Sequence, residues 1–533
     1  MKRTRTPLFS LNVLCFILVV CSPINQAIAG PKLSSGIKAI MDKPVYKHAD
    51  WGFLAVDLKT GEVLYSLDPG KFFCPGSTTK LFTLATALDT LGVDYRFKSP
   101  VYAQGEISSS GQLNGNLILV ASGDLTMGGR ATPEGEIAYT SADHNDANAL
   151  GICQLTPQNP LAGIEDLARQ VAKKGIREVQ GEVIVDTRLF CENPAPSLEL
   201  EYPLSPIIIN DNLIDFTIQP QQSGSPARVD WRPKTTFFKV EARVNTVSAG
   251  QPLTVDIFSP QDHQIVVRGQ VPEDSAQVIR TFQIPDPASF ARALFIEALK
   301  NQSIQVTASV LSANPASLLP EAKSYPGFSK VAELVSPPFK EYVRLILKVS
   351  HNMGANIMPV LIALQNEKTT LEEGINCEQP FLQNAGVDTS LVSLGDGEGG
   401  VPSDMITPKA MVQLLRYMAT RPDSAYYRRA LPILGVDGTL AGAVGEDSPA
   451  YGKVFAKTGT TGKIDFLNLR LIIKGKALAG YLTDIKGRSV AFAVFVNMVP
   501  GPELTDDDAI TGFMMTVGQD LAKITEAIYL GNN

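Results

Sequence analysis

Beyond residue 30 the sequence has no apolar run approaching the about 20 residues that a membrane-spanning helix needs, so no stable transmembrane anchor is expected. Nor is there an excess of basic residues. Lys and Arg number 47 against 54 Asp and Glu, a formal net charge of −7, and a surface of that sign argues against a nucleic acid partner. Cysteine is scarce, at six residues in 533, and Cys74, Cys153, Cys191 and Cys377 lack the close spacing of a zinc site. No segment repeats at a fixed period. The glycine-rich Gly395-Asp396-Gly397-Glu398-Gly399-Gly400 is not closed by Gly-Lys-Ser or Gly-Lys-Thr, which argues against a phosphate cradle.

What is present begins with a leader. Lys2, Arg3 and Arg5 precede an apolar run from Leu8 to Val20 and the small-x-small Ala27-Ile28-Ala29, which together read as a secretory signal peptide over residues 1–29. Cys21 is a poor lipidation site, because Val20 stands where a small residue is required. The protein is therefore expected to be exported, to the periplasm or the outer side of the cytoplasmic membrane. Loss of the three basic leader residues shifts the formal charge to −10. Four cysteines in an exported chain permit disulfides, and Cys153 with Cys191 is the expected pair. At this length and 44% hydrophobic content, the chain can bury the cores of two or three domains.

The rest of the chain is organised around Cys74-Pro75-Gly76-Ser77-Thr78-Thr79-Lys80-Leu81-Phe82. Leu81, Leu84, Ala85, Leu88 and Leu91 recur at helical spacing and Gly92 follows as a stop, which predicts a helix over 77–91. Residues three apart share a helix face, so Ser77 and Lys80 point into one space. A serine hydroxyl needs a base to become a nucleophile, and a lysine serves only if burial or nearby positive charge keeps it neutral. The pattern alone is weak, since Ser35-Gly36-Ile37-Lys38 repeats it and a serine there could simply cap a helix.

Residues Trp51 to Asp68 alternate and turn at Lys59-Thr60-Gly61-Glu62, a hairpin signature directly before the Ser77 helix. From Lys98 to Ser324 the chain turns β-rich, with helices expected over 163–174 and 288–300. Within it the polar stretch 132–148, carrying Asp143, His144 and Asp146, reads as an exposed loop rather than a metal site, because no ligand spacing is met. Ser350-His351-Asn352 falls between two apolar helices, and Thr407-Pro408 opens another. Lys453 to Thr460, 467–473, 477–483 and 490–497 read as antiparallel strands with turns at Lys474-Gly475 and Lys486-Gly487, before a last helix from Asp507 to Ile528. Strands at both ends predict one shared sheet flanked by helices, an α+β domain made of residues 30–97 and 325–533, with 98–324 inserted as two subdomains.

Three motifs stand in order: Ser77-x-x-Lys80, Ser350-x-Asn352 and Lys457-Thr458-Gly459. Together they resemble the three motifs of penicillin-binding proteins and serine β-lactamases. Ser312-Ala313-Asn314 and Lys59-Thr60-Gly61 match the second and third patterns but lie before a proline and at a hairpin tip. The long insertion between the first two motifs is similar to that of class C low-molecular-mass penicillin-binding proteins, the D-alanyl-D-alanine carboxypeptidase/endopeptidase family. So are Leu91-Gly92-Val93-Asp94-Tyr95-Arg96-Phe97, Ser122-Gly123-Asp124, Gly181-x-Val183-x-Val185-Asp186 and Asn210-Asp211-Asn212. Two departures occur: the usual Gly-Asp-Pro is Gly123-Asp124-Leu125, and Glu398 replaces the serine of an Asp-Gly-Ser-Gly loop.

The resemblance implies a β-lactamase/transpeptidase-like fold and a serine peptidase acting on peptidoglycan stem peptides and cross-bridges, with β-lactams as covalent inhibitors and no cofactor or metal. It implies Ser77 as nucleophile, Lys80 as base and Ser350 as proton relay. Asn352, Lys457, Thr458 and Gly459 would meet the substrate, with the backbone N–H groups of Ser77 and Thr460 as oxyanion hole. Asp124 is a candidate for the amino end of the stem peptide, or else a turn aspartate. His351 is expected to be structural. The alternatives are a serine β-lactamase or esterase using the same residues, and a non-catalytic cell-wall-binding protein.

Overall fold

A computed structural model describes residues 33–150, 153–191, 193–504 and 507–531; the expected leader, residues 1–29, lies outside them. Five strands from both ends of the chain form one antiparallel sheet, in the order Val454–Asp465, Arg470–Thr483, Ser489–Glu503, Asp50–Asp57, Val63–Leu67. Along Ser489–Glu503 the side chains alternate between two cores. Val490, Phe492, Val494 and Val496 pack with the helix Asp507–Leu530, whereas Ala491, Ala493 and Phe495 face the helices on the other side. That period of two, apolar on both faces, is what a sheet sandwiched between helices requires. Burying Phe492 and Phe495 completely contributes roughly 1.5–3 kcal/mol each.

One sequence expectation in this sheet is corrected. Lys474-Gly475 is not a turn but lies within the continuous strand Arg470–Thr483, where the pairing register with Val454–Asp465 shifts between Thr461 and Gly462. A bulge inserts an extra residue and keeps the strand running. The hairpin reverses instead at Phe466 to Leu469, pinned by Asp465, whose carboxylate accepts from Leu467 N and Asn468 N.

The helical layer holds Lys80–Leu91, Phe339–Val349, Asn352–Leu364, Leu371–Asn384 and Pro408–Thr420. The Ser77 segment forms as expected, except that its first turn, Gly76–Thr79, is a tighter 3-10 turn. Lys80 through Leu88 are all buried, so this is a core helix rather than a surface one.

The inserted region contains a six-stranded sheet and two three-stranded ones. A cluster of buried apolar side chains runs through it from Val101 and Leu117 through Phe216 and Val267 to Phe295. The strand Ser329–Val335 pairs antiparallel with Lys98–Ile107, so the sheet of this region closes at Val335, beyond Ser324. No helix among the described residues is long and apolar enough to cross a membrane. The four cysteines are free. Cys153 Sγ is directed to the Asp143 carbonyl at 3.2 Å and Cys191 Sγ to the Thr369 carbonyl at 3.3 Å, so the expected Cys153–Cys191 bond is not formed.

Candidate active site

The turn before the nucleophile helix brings Ser77 against the sheet's edge strand, Val454–Asp465. Contact is at backbone level. A Cβ on Gly76, whose φ is +49°, would sit 2.5 Å from Thr460 N, and one on Gly459 would sit 2.0 Å from the Pro75 carbonyl oxygen. Only glycine permits this approach. It brings Thr460 N beside the Ser77 turn, as an oxyanion hole shared by the two segments requires.

Lys80 Nζ lies 2.8 Å from Ser77 Oγ, 2.8 Å from Asn352 Oδ1 and 3.1 Å from the Glu398 carbonyl oxygen. The lysine is fully buried, and burial drives its pKa below the ordinary value against the partly offsetting charges of Glu398, Asp396, Asp146 and Asp404. An uncharged amine has two N–H groups and one lone pair. Asn352 and Glu398 accept the two N–H groups, which leaves the lone pair facing the Ser77 hydroxyl.

Ser350 ends the helix Phe339–Val349 in the left-handed conformation, φ 61°, and Asn352 opens the next. Lys457 Nζ donates to Ser350 Oγ and to the Thr458 carbonyl, both at 2.9 Å. Burial, then the charge of Lys80, holds Lys457 well below the usual lysine range. Thr458 Oγ1 is 2.7 Å from Thr439 Oγ1, and Lys476 donates to Thr460 Oγ1 at 2.8 Å. The three motifs thus converge, and Lys59-Thr60-Gly61 forms the turn of the first hairpin, away from them.

Asp124 is buried and accepts from Thr126 N at 2.9 Å and from the Tyr342 hydroxyl at 2.6 Å. One expectation is corrected. Asp143 and His144 are not on an exposed loop. They are buried with Arg130, whose guanidinium donates to Asp143 at 2.9 and 2.7 Å and to Asp211 at 2.7 Å. His144 lies between Asp211 and Asp215, 2.7 Å from each. Burial opposes its protonation, but the two carboxylates push it up to about 10. The oxygens of Asp143 and Asp211 would otherwise offer a metal a site with His144, but the guanidinium already stands among them as the cation.

Sequence reasoning missed Tyr202 and the role of Asp146. Tyr202 donates to Glu398 Oε2 at 3.0 Å and accepts from Asn356 Nδ2 at 2.9 Å, tying the inserted region to the glycine-rich loop. Asp396 holds that loop by accepting four N–H groups, from Glu398, Gly399, Gly400 and Val401. Asp146 adds negative charge to the surroundings of both Lys80 and Lys457. Neither Tyr202 nor Asp146 lies in a short motif; only spatial convergence identifies them.

A buried lysine with a lowered pKa on a serine, a second serine–lysine pair and an adjacent edge strand define an acyl-transfer enzyme of the penicillin-recognising serine type. A profile of the D-Ala-D-Ala carboxypeptidase 3 (S13) family matches residues 33–516, and the chain belongs to that family. It is 28% identical over 535 residues to a D-alanyl-D-alanine carboxypeptidase of Actinomadura sp. (strain R39), covering 95% of this chain and 89% of that protein. Identity to the D-alanyl-D-alanine carboxypeptidase DacB of Haemophilus influenzae is 23% over 460 residues, covering 84% and 85%. The fold is similar to the crystal structure of penicillin binding protein 4 from Haemophilus influenzae, with a TM-score of 0.65 at 20% identity, over 91% of this chain and 99% of that one.

Proposed function

We propose that the protein is an exported serine D-alanyl-D-alanine carboxypeptidase and endopeptidase that cleaves peptidoglycan stem peptides and cross-bridges through an acyl-enzyme, and that β-lactams trap the same serine. The observation that carries this reading is the buried Lys80 amine, 2.8 Å from Ser77 Oγ and held there by Asn352 Oδ1 and the Glu398 carbonyl. Ser77 Oγ attacks the carbonyl of the penultimate D-Ala while Lys80 takes its proton. Negative charge on the carbonyl oxygen falls between the N–H groups of Ser77 and Thr460, donors each worth about 3 kcal/mol in comparable sites. The C–N bond then breaks as Ser350, beside Lys457, relays the proton taken up by Lys80 to the departing amine, giving up its own proton and receiving that one in its place. Lys457 and Thr458 receive the terminal carboxylate, Gly459 admits the substrate backbone and Asn352 holds its amide. Water releases the acyl group by the reverse proton path. The outward backbone groups of the edge strand suit an extended peptide.

The test is mass spectrometry after brief exposure to benzylpenicillin, with peptide mapping, followed by assay of D-Ala-ended peptides and cross-linked muropeptides. A stable adduct on Ser77, lost in a folded Ser77→Ala variant, is expected. An adduct retained in that variant would sink the assignment of the nucleophile. Rapid drug turnover without an adduct would indicate a β-lactamase, and untouched drug a non-catalytic wall binder.

A further inference from the structure

Ser350 and Asn352 sit on either side of a histidine that the chemistry above does not use. His351 is buried, and its Nδ1 accepts from Gly354 N at 2.9 Å, capping the helix Asn352–Leu364. Because Nδ1 receives that proton, the ring carries its own on Nε2. Nε2 stands 3.1 Å from Asp211 Oδ2, approached off the N–H axis.

Asp211 comes from the inserted region, and its placement is heavily determined. Asn210, Asp211 and Asn212 are all left-handed, with φ of 53°, 55° and 54°. Three consecutive non-glycine residues in that region persist only where the surroundings over-determine them. Here they do. Asn210 Nδ2 donates to the Leu213 carbonyl and Asn212 Nδ2 to the Ile207 carbonyl, while Asn212 Oδ1 accepts from Ile209 N. Ile207 and Ile209 are anchored in the core of the inserted region, and Ile208 between them is buried in the core of the helical layer. Arg130 and His144 then fix the Asp211 carboxylate, each at 2.7 Å.

We propose that Asp211 is a positioning residue for the acyl-transfer step: it holds the His351 ring in one orientation, and through it sets the junction that places Ser350 and Asn352 against Lys457 and Lys80. The inserted region is thereby part of the catalytic apparatus although none of its residues in this chain of contacts touches the reacting atoms. The proposal rests on the reading of Ser77, Lys80 and Ser350 given above.

It is tested with Asp211→Asn, His351→Asn and the double variant in the full chain, by the second-order rate of benzylpenicillin acylation and by kcat and KM on a D-Ala-D-Ala peptide. Asparagine at 351 can still cap the helix through its side-chain oxygen, but it loses the reach to Asp211. Each single variant is expected to lower acylation and kcat by about 10- to 100-fold, the effect of a small misplacement of reacting groups, with KM within a few-fold. The double variant is expected to be no slower than the worse single one. Effects that multiply, or a folded His351→Asn protein acylated at the wild-type rate, would overturn the proposal even where Asp211→Asn does not fold. If wild-type protein takes no adduct on Ser77, the underlying reading falls and this proposal with it. Wild-type acylation matched by unimpaired variants removes this proposal alone.

Discussion

The transpeptidase-like half and the inserted region handle buried charge in opposite ways. In the inserted region Arg130, Asp143, His144, Asp211 and Asp215 are gathered into a closed set of ion pairs, with Arg232 donating to Asp215 at 2.9 Å. In the transpeptidase-like half one buried lysine, Lys348, is paired with Asp437 at 2.6 Å, but elsewhere charge is suppressed. Lys80 and Lys457 are driven toward the neutral amine, and Glu378, on Leu371–Asn384, is buried with neither oxygen partnered among the described residues. Paired charges fix geometry; neutralised ones keep a proton available for transfer. The site lies where the two solutions meet, at Ser350-His351-Asn352.

The comparison breaks most visibly at Lys80. Lys80→Met removes the base while keeping an unbranched buried side chain, and penicillin acylation is expected to fall by at least about a thousandfold with the fold retained. In wild-type protein the acylation rate should decline as pH falls through the depressed Lys80 pKa, because the neutral amine is the active form. A Lys80→Met protein acylated at more than a few per cent of the wild-type rate would assign the base elsewhere. Next in size is Arg130→Ala. It strands Asp143 and Asp211 without their guanidinium, and breaking a buried ion pair by deleting one partner costs about 3–5 kcal/mol. Denaturant unfolding should show that loss. A change below about 1 kcal/mol would mean that the network contributes geometry without stability.

The same contrast explains what could be read in the sequence. The convergence of Ser77, Lys80, Ser350, Asn352 and Lys457 was legible because the proposed acyl transfer demands those residue types at short spacings on predictable elements. The helix at Lys80–Leu91 and the hairpin ending at Leu67 were legible from periodicity alone. Asp143, His144 and Asp146 were not, since a polar stretch with no periodic pattern looks solvated until Arg130, Asp211 and Asp215 arrive from distant positions to bury it. Lys474-Gly475 misled for a related reason. A Lys-Gly pair has the composition of a turn, and only the partner strand's register turns it into a bulge.

The smallest expected effect isolates neutralisation from pairing. Glu378 is fully buried among Leu371, Phe381 and Leu382, and burial alone pushes its pKa up to about 8 from 4.5. Between those values the folded chain keeps a proton that the unfolded chain releases. The folded state binds more protons, so stability is greatest below pH 4.5, declines as pH rises through the window, and loses this contribution above about 8. The slope for one proton is about 1.4 kcal/mol per pH unit. Glu378→Leu should flatten the fall in unfolding free energy between pH 6 and 8, where Asp404, pushed up to about 9, adds a slope that the variant leaves in place, and should raise stability more at pH 8 than at pH 6. An unchanged slope in the variant would show that Glu378 gains a partner or solvent in solution, and that the helical half also holds its buried charge by pairing.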